Sequence, residues 1–259
     1  AQKSLSAKSA NSRGIVLIVD NLDRIVETQE IGKPSNYDEI YLNRSEMLRG
    51  LACHVIYTVP IKMVRLGATQ LENNYDKPDV LPMIMIRNPD GTENKLGLDK
   101  MRELICRRIG LIEPNLLQTL EGKVDGLDFP PVFDNGQTLK NLCLMSGGHV
   151  RNLMQLIQKA IDWTDELPIT KRAAKRAIEE TRETYQRTVQ ESEWEILARA
   201  CHLQQAYNDV DHLRLLLKRC LLEYRYYDQN ENLQIWCNVH PLIAGIPRFQ
   251  NELAKVRAL

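Results

Sequence analysis

The run Ile15-Val16-Leu17-Ile18-Val19 stops abruptly on Asp20, and no other feature of the chain narrows its fold as far. Continuous aliphatic strands suit a parallel sheet covered on both faces, whereas a half-solvated strand alternates apolar with polar. A carboxylate placed directly after such a strand stands at the carboxyl edge of the sheet, where open α/β folds bind their ligands. Two further strands are expected at 53–59, ended by Pro60, and at 81–86. Spaced apolar residues at Ile40, Met47, Leu48 and Leu51 predict a helix over 37–51, and 60–75 has room for another. Strand and helix in alternation argue for a parallel sheet with right-handed crossovers.

Beyond the turn Pro89-Asp90-Gly91 the pattern becomes helical only, with helices expected at 98–109, 116–120 and 138–145. After Gly147-Gly148, Val150, Leu153, Met154, Ile157 and Ile161 fall on one helical face. Over 169–190 acids and bases alternate at helical spacing, as in a solvated or bridging helix. Trp194, Leu197, Ala198 and Cys201 mark one amphipathic helix, and Val210, Leu213, Leu217 and Leu221 mark the next. Strands at 223–228 and 233–239 flank the polar turn 229–232, so two helices followed by a hairpin suggest a winged-helix unit. The fold class is therefore α/β plus all-α. Its expected divisions are a linker at 1–13, a partial α/β core at 14–95, a helical region at 96–188 and the winged helix at 189–259.

Lysine plus arginine and aspartate plus glutamate number 34 each, so no global field draws the chain to nucleic acid or to an anionic membrane. The longest apolar runs are too short for a bilayer span, and the one over 213–222 is broken by Arg214, Lys218 and Arg219. This predicts a soluble, cytoplasmic protein without a membrane partner. Six cysteines without a C-x-x-C pair fit reduced packing residues, and the five histidines are too dispersed in sequence to argue for zinc. No paired-carboxylate hydrolase site or Ser-His-Asp elbow is evident. The chain opens on Ala1 without a signal-peptide pattern, as a processed or excised piece would.

The stretch from Ile15 through Asp20-Asn21-Leu22-Asp23 resembles the Walker B element of the AAA+ superfamily, in particular its STAND relatives. The resemblance implies that Asp20 is the Mg²⁺ ligand. Thr58, at the end of the second strand, is similar to the sensor 1 residue near the γ-phosphate. Ser146-Gly147-Gly148-His149-Val150-Arg151-Asn152-Leu153 resembles the sensor 2 motif of origin-recognition-type members, with Arg151 contacting phosphate. Asn238-Val239-His240-Pro241 looks like the motif closing the STAND winged helix, where histidine touches the β-phosphate of ADP, although Pro241 stands where an acid is common. Arg65 occupies the interval in which this superfamily often carries an arginine finger, a role that requires other protomers.

Two departures qualify these implications. No G-x-x-x-x-G-K-[ST] loop is present, so the resemblance implies a P-loop upstream of Ala1 or lost, and weak or absent ATP and ADP binding by this chain. Asn21 replaces the usual catalytic glutamate, and an amide positions water without taking its proton. Asp23 either substitutes for it or caps the following turn. The expected function is the C-terminal part of a nucleotide-dependent switch ATPase, with slow or no hydrolysis. Two alternatives stand beside it: a DNA-binding winged helix using Arg214, Lys218, Arg219 and Arg225 with Tyr226 and Tyr227, or a non-catalytic interaction scaffold.

Overall fold

A computed structural model describes residues 14–112 and 132–258. They fall into two compact units that divide after Val80. The chain is a mixed, helix-rich fold with two small sheets.

In the first unit, β1 (Val16–Val19) and β2 (His54–Tyr57) pair in parallel, with Val16 opposite His54 and Val19 opposite Tyr57. The connection holds a 3₁₀ turn (Leu22–Arg24), a π-helical segment (Asp38–Asn43) and α1 (Ser45–Arg49). After β2 come α2 (Ile61–Leu66) and α3 (Ala68–Asn74). The core of this unit lies among its connections, where Tyr37, Tyr41, Met63 and Leu71 pack together.

The expectation that β1 is covered on both faces is not met. Val16 is 58% exposed and Ile18 64%, with Ile56 on the neighbouring strand at 53%. Among the described residues the sheet has two strands only, and no third strand forms at 81–86. An aliphatic run makes a strand apt for burial on both sides, but burial also requires layers to lie across it.

Residues 81–86 belong to the second unit. Their alternation is real: Ile84 and Ile86 turn toward one apolar cluster while Met83 and Met85 turn toward another. Their backbone lacks a ladder partner because neighbours approach it differently. A Cβ at Gly97 would lie 2.0 Å from the Met85 carbonyl oxygen, and one at Gly148 would lie 1.8 Å from that of Ile84. Bare backbone therefore passes bare backbone on two sides. The compact division accordingly falls at 80, whereas the sequence placed the end of the α/β core at 95.

The second unit continues with α4 (Lys95–Ile112), α5 (Gly136–Met145), α6 (Val150–Asp162) and α7 (Lys171–Thr188). Asn135 and Thr170 cap α5 and α7, their side-chain oxygens accepting the Thr138 and Ala173 N–H groups. Met101, Ile105, Leu139, Leu142, Leu153 and Leu156 form a helical core, onto which Ala173, Ala174 and Ala177 dock the otherwise charged α7. The short helix expected at 116–120 lies outside the described residues.

Next come α8 (Glu193–Leu203), α9 (Val210–Leu217), the antiparallel hairpin β3 (Leu221–Tyr227) and β4 (Leu233–Val239), α10 (Pro241–Ala244) and α11 (Pro247–Arg257). Trp194, Leu197, Leu215, Val239, Ile243 and Phe249 form a second core. The distal end of α7 contributes Tyr185 to that core, so the charged helix bridges the two. None of the described helices is long and apolar enough to cross a membrane.

Candidate functional site

The residues singled out in the sequence fall at two places. In the first unit, the ladder runs one bond past β2, with the Thr58 N–H donating to the Val19 carbonyl at 3.2 Å. Asp20 and Thr58 therefore leave the same carboxyl edge of the sheet. Asp20 is exposed, and one of its carboxylate oxygens accepts the Asn21 N–H at 2.7 Å. Asn21 adopts a left-handed conformation with φ 68°, which asparagine tolerates better than most side chains do. Asn21 thus has a backbone reason to be asparagine.

The Thr58 hydroxyl accepts the Leu22 N–H at 3.1 Å and so ties the turn after β1 to the end of β2. Behind it, the buried Tyr41 hydroxyl lies 3.2 Å from the Leu22 carbonyl and 3.4 Å from that of Thr58, donating toward both. Burial first, and then the neighbouring Tyr37 and Asp23, push the Tyr41 phenol up to about 12, so it remains a donor at all ordinary pH. Asp23 is exposed in the 3₁₀ turn and its side chain does not cap it. Arg65 lies in the last turn of α2.

In the second unit, Gly147 and Gly148 hold φ 64° and 79°, and the turn they make is closely packed. The Tyr224 hydroxyl donates to the Gly147 carbonyl at 2.8 Å. Arg151 follows in the first turn of α6, exposed and without an ion pair or hydrogen bond to any described residue. His240 is fully buried. Its Nδ1 accepts the Leu242 N–H at 3.2 Å, so the neutral ring carries its proton on Nε2. Nε2 lies 2.9 Å from the Asn152 side-chain amide, which also meets the Tyr185 hydroxyl at 2.9 Å; the Nε2 proton is accepted there with the amide turned so that its oxygen faces the ring. Tyr185 stacks on the imidazole at 4.5 Å. Both ring nitrogens are therefore engaged within the protein, and the expected phosphate contact by His240 is not available in this arrangement.

The cations expected to face DNA are similarly engaged. Lys218 reaches the buried Glu193 carboxylate at 2.9 and 3.0 Å, Arg214 pairs with Asp211 at 3.2 Å, and Arg225 pairs with Glu223 at 2.8 Å. Glu193 also accepts the Gln190 N–H at 2.8 Å, as in a capping box.

Sequence reasoning missed Tyr41, Asn152 and Tyr185. Nothing in the sequence assigned their side chains a role, because those side chains meet partners at least seventeen positions away. It also missed a cleft of about 530 Å³ between α4 and α5, lined by Lys95, Leu98, Arg102, Leu139, Lys140 and Cys143 among others. None of the residues chosen from the sequence lines it. The six cysteines are free thiols, and no cluster of three or more metal-ligating side chains exists among the described residues. No protein-family model matches the chain, and no curated protein or solved structure matches it significantly.

Proposed function

We propose that the chain is the C-terminal part of a nucleotide-dependent molecular switch of the AAA+/STAND type, acting in the cytoplasm. In this reading residues up to Val80 are part of the α/β core, α4 to α7 form the helical lid, and α8 to α11 with the hairpin form a winged helix. The observation that carries it is the parallel β1–β2 pair, which delivers Asp20 and Thr58 to one carboxyl edge. Ligands of open α/β sheets bind at that edge.

A single exposed carboxylate suits a magnesium ion held mainly by water and nucleotide phosphates, which asks only one or two carboxylates of the protein. Asp20 would hold it, and the ion would neutralise phosphate charge. Thr58 keeps its hydroxyl proton free to donate while accepting from Leu22. Arg151 offers an unengaged guanidinium whose planar fork matches phosphate. Asn21 orients water without accepting a proton, and this favours slow or no hydrolysis. Asp23 is the nearby carboxylate able to take that role, and Arg65 would act on nucleotide bound by a neighbouring protomer.

Calorimetry with Mg²⁺ and ADP or ATP tests the reading, on this chain and on a form extended N-terminally through a P-loop. The expected result is weak or no binding by the chain alone and clear binding by the extended form. Arg151→Ala then weakens affinity by about 1.5–3 kcal/mol, roughly tenfold or more. Absence of binding by both forms overturns the switch and leaves the interaction scaffold.

A further inference from the structure

Two histidines do the same work where the helical core meets the C-terminal core. His149 precedes α6, and its Nδ1 accepts the Asn152 N–H at 3.1 Å. His240 precedes α10, and its Nδ1 accepts the Leu242 N–H at 3.2 Å. Asn152 joins them, its backbone N–H bonded to one imidazole and its side chain 2.9 Å from the other. Helix N-caps are usually Ser, Thr, Asp or Asn, whose side-chain oxygens accept. An imidazole accepts only while neutral, and protonation puts N–H on both nitrogens. Acid therefore turns each of these caps into a donor facing a donor.

We infer that His149 and His240 form an acid-labile clamp, holding α10 and the C-terminal core against α6 and α7 while neutral and releasing them when protonated. The surroundings favour release. Arg151 of α6 and Arg219 before β3 act on the rings and Tyr185 of α7 stacks on His240, while Arg182 of α7, Cys220 and, from β3, Tyr224 bond to backbone beside the pair. The charges acting on the imidazoles are cationic, from Arg219 and Arg151. Arg182 adds a second tie, its Nε donating to the Leu242 carbonyl at 3.2 Å.

Burial, followed by the neighbouring His149 and then Arg219, depresses His240 from 6.5 to about 3. Burial, followed by Arg219 and Arg151, depresses His149 to about 4. For a base whose folded pKa lies below its unfolded value, the unfolded chain binds the proton first. The clamp's contribution is full above the ordinary value of 6.5 and declines as pH falls from there toward 3 or 4. This clamp belongs to the packing of the second unit and does not rest on the nucleotide reading.

The test compares denaturant unfolding of the whole chain near pH 7.5 and near pH 5 with that of the double variant His149→Asn, His240→Asn. Asparagine retains a cap acceptor and has no proton to gain. The wild-type unfolding constant is expected to rise with acid by roughly tenfold or more per histidine beyond the rise in the variant. Equal rises in the two proteins overturn the clamp. A second measurement holds even if the variant fails to fold: imidazole titration by NMR together with amide exchange in wild type. Loss of protection at Ile243 and Ala244 in step with protonation of the pair supports release. Ordinary titration near 6.5 with these amides still protected overturns it.

Discussion

The two units are held together by different means. Up to Val80 the packing centre is rich in tyrosine, and the hydroxyls tie irregular backbone: Tyr37 donates to the Ile25 carbonyl, Tyr57 to Leu48 and Tyr75 to Tyr41. From Leu81 onward, two mainly aliphatic cores are closed by helices, and even the fully buried His240 has its partners. The first unit leaves Val16, Ile18 and Ile56 of its sheet exposed, while the second buries Leu221, Leu222, Tyr224, Trp236 and Val239 of its hairpin and exposes Tyr227, Leu233 and Ile235 toward the turn. The difference teaches that the strongest hydrophobic run of a chain need not lie in its best-packed region. Burial depends on what lies across a strand as well as on its residues.

This contrast can be broken most severely at a glycine. Gly148→Ala adds a Cβ 1.8 Å from the Ile84 carbonyl oxygen at φ 79°, and it should destabilise the second unit by about 3 kcal/mol in denaturant unfolding. Gly32→Ala, at a similar φ in the first unit but with open space around it, should cost only about 1 kcal/mol. Comparable losses at the two sites would remove the distinction between them.

Glu193→Gln comes next. It leaves the partly buried Lys218 without its carboxylate, and a loss of about 2 kcal/mol is expected, discounted because the lysine retains some solvent. Thr58→Val deletes the acceptor of the Leu22 N–H, so the first unit should lose about 1 kcal/mol, read as roughly fivefold faster amide exchange at Leu22. Ile18→Thr should have the smallest effect, within about 0.5 kcal/mol, because the side chain is already largely exposed. A cost of several kcal/mol there would show that the sheet is covered in solution, and the contrast between the units would disappear.

Much of the architecture was legible because it is local. The strand before Asp20, the apolar face from Val150 to Ile161, the charged bridge and the final hairpin each follow from a periodicity or a turn signal. The stretch 81–86 was legible in its alternation and misread in its bonding, since period two reports two faces and says nothing of a ladder partner. Residues of the proposed site divide the same way. Asp20 and Thr58 could be placed at strand ends from sequence, but the role of Thr58 as acceptor for Leu22 depends on the parallel register of β1 and β2. His240 was chosen from a motif, and its burial against Asn152 and Tyr185 turned a proposed phosphate contact into an internal cap.

By itself, then, the sequence determined where most of the helices and strands form, where Gly147 and Gly148 turn the chain, and which carboxylate follows the first strand. Those properties come from side-chain shape and backbone sterics over a few neighbouring residues. Tertiary structure alone decided which apolar faces are covered, which cations are neutralised and which histidines are held neutral. Each of these outcomes depends on groups brought together from distant parts of the chain, and burial and charge act through space.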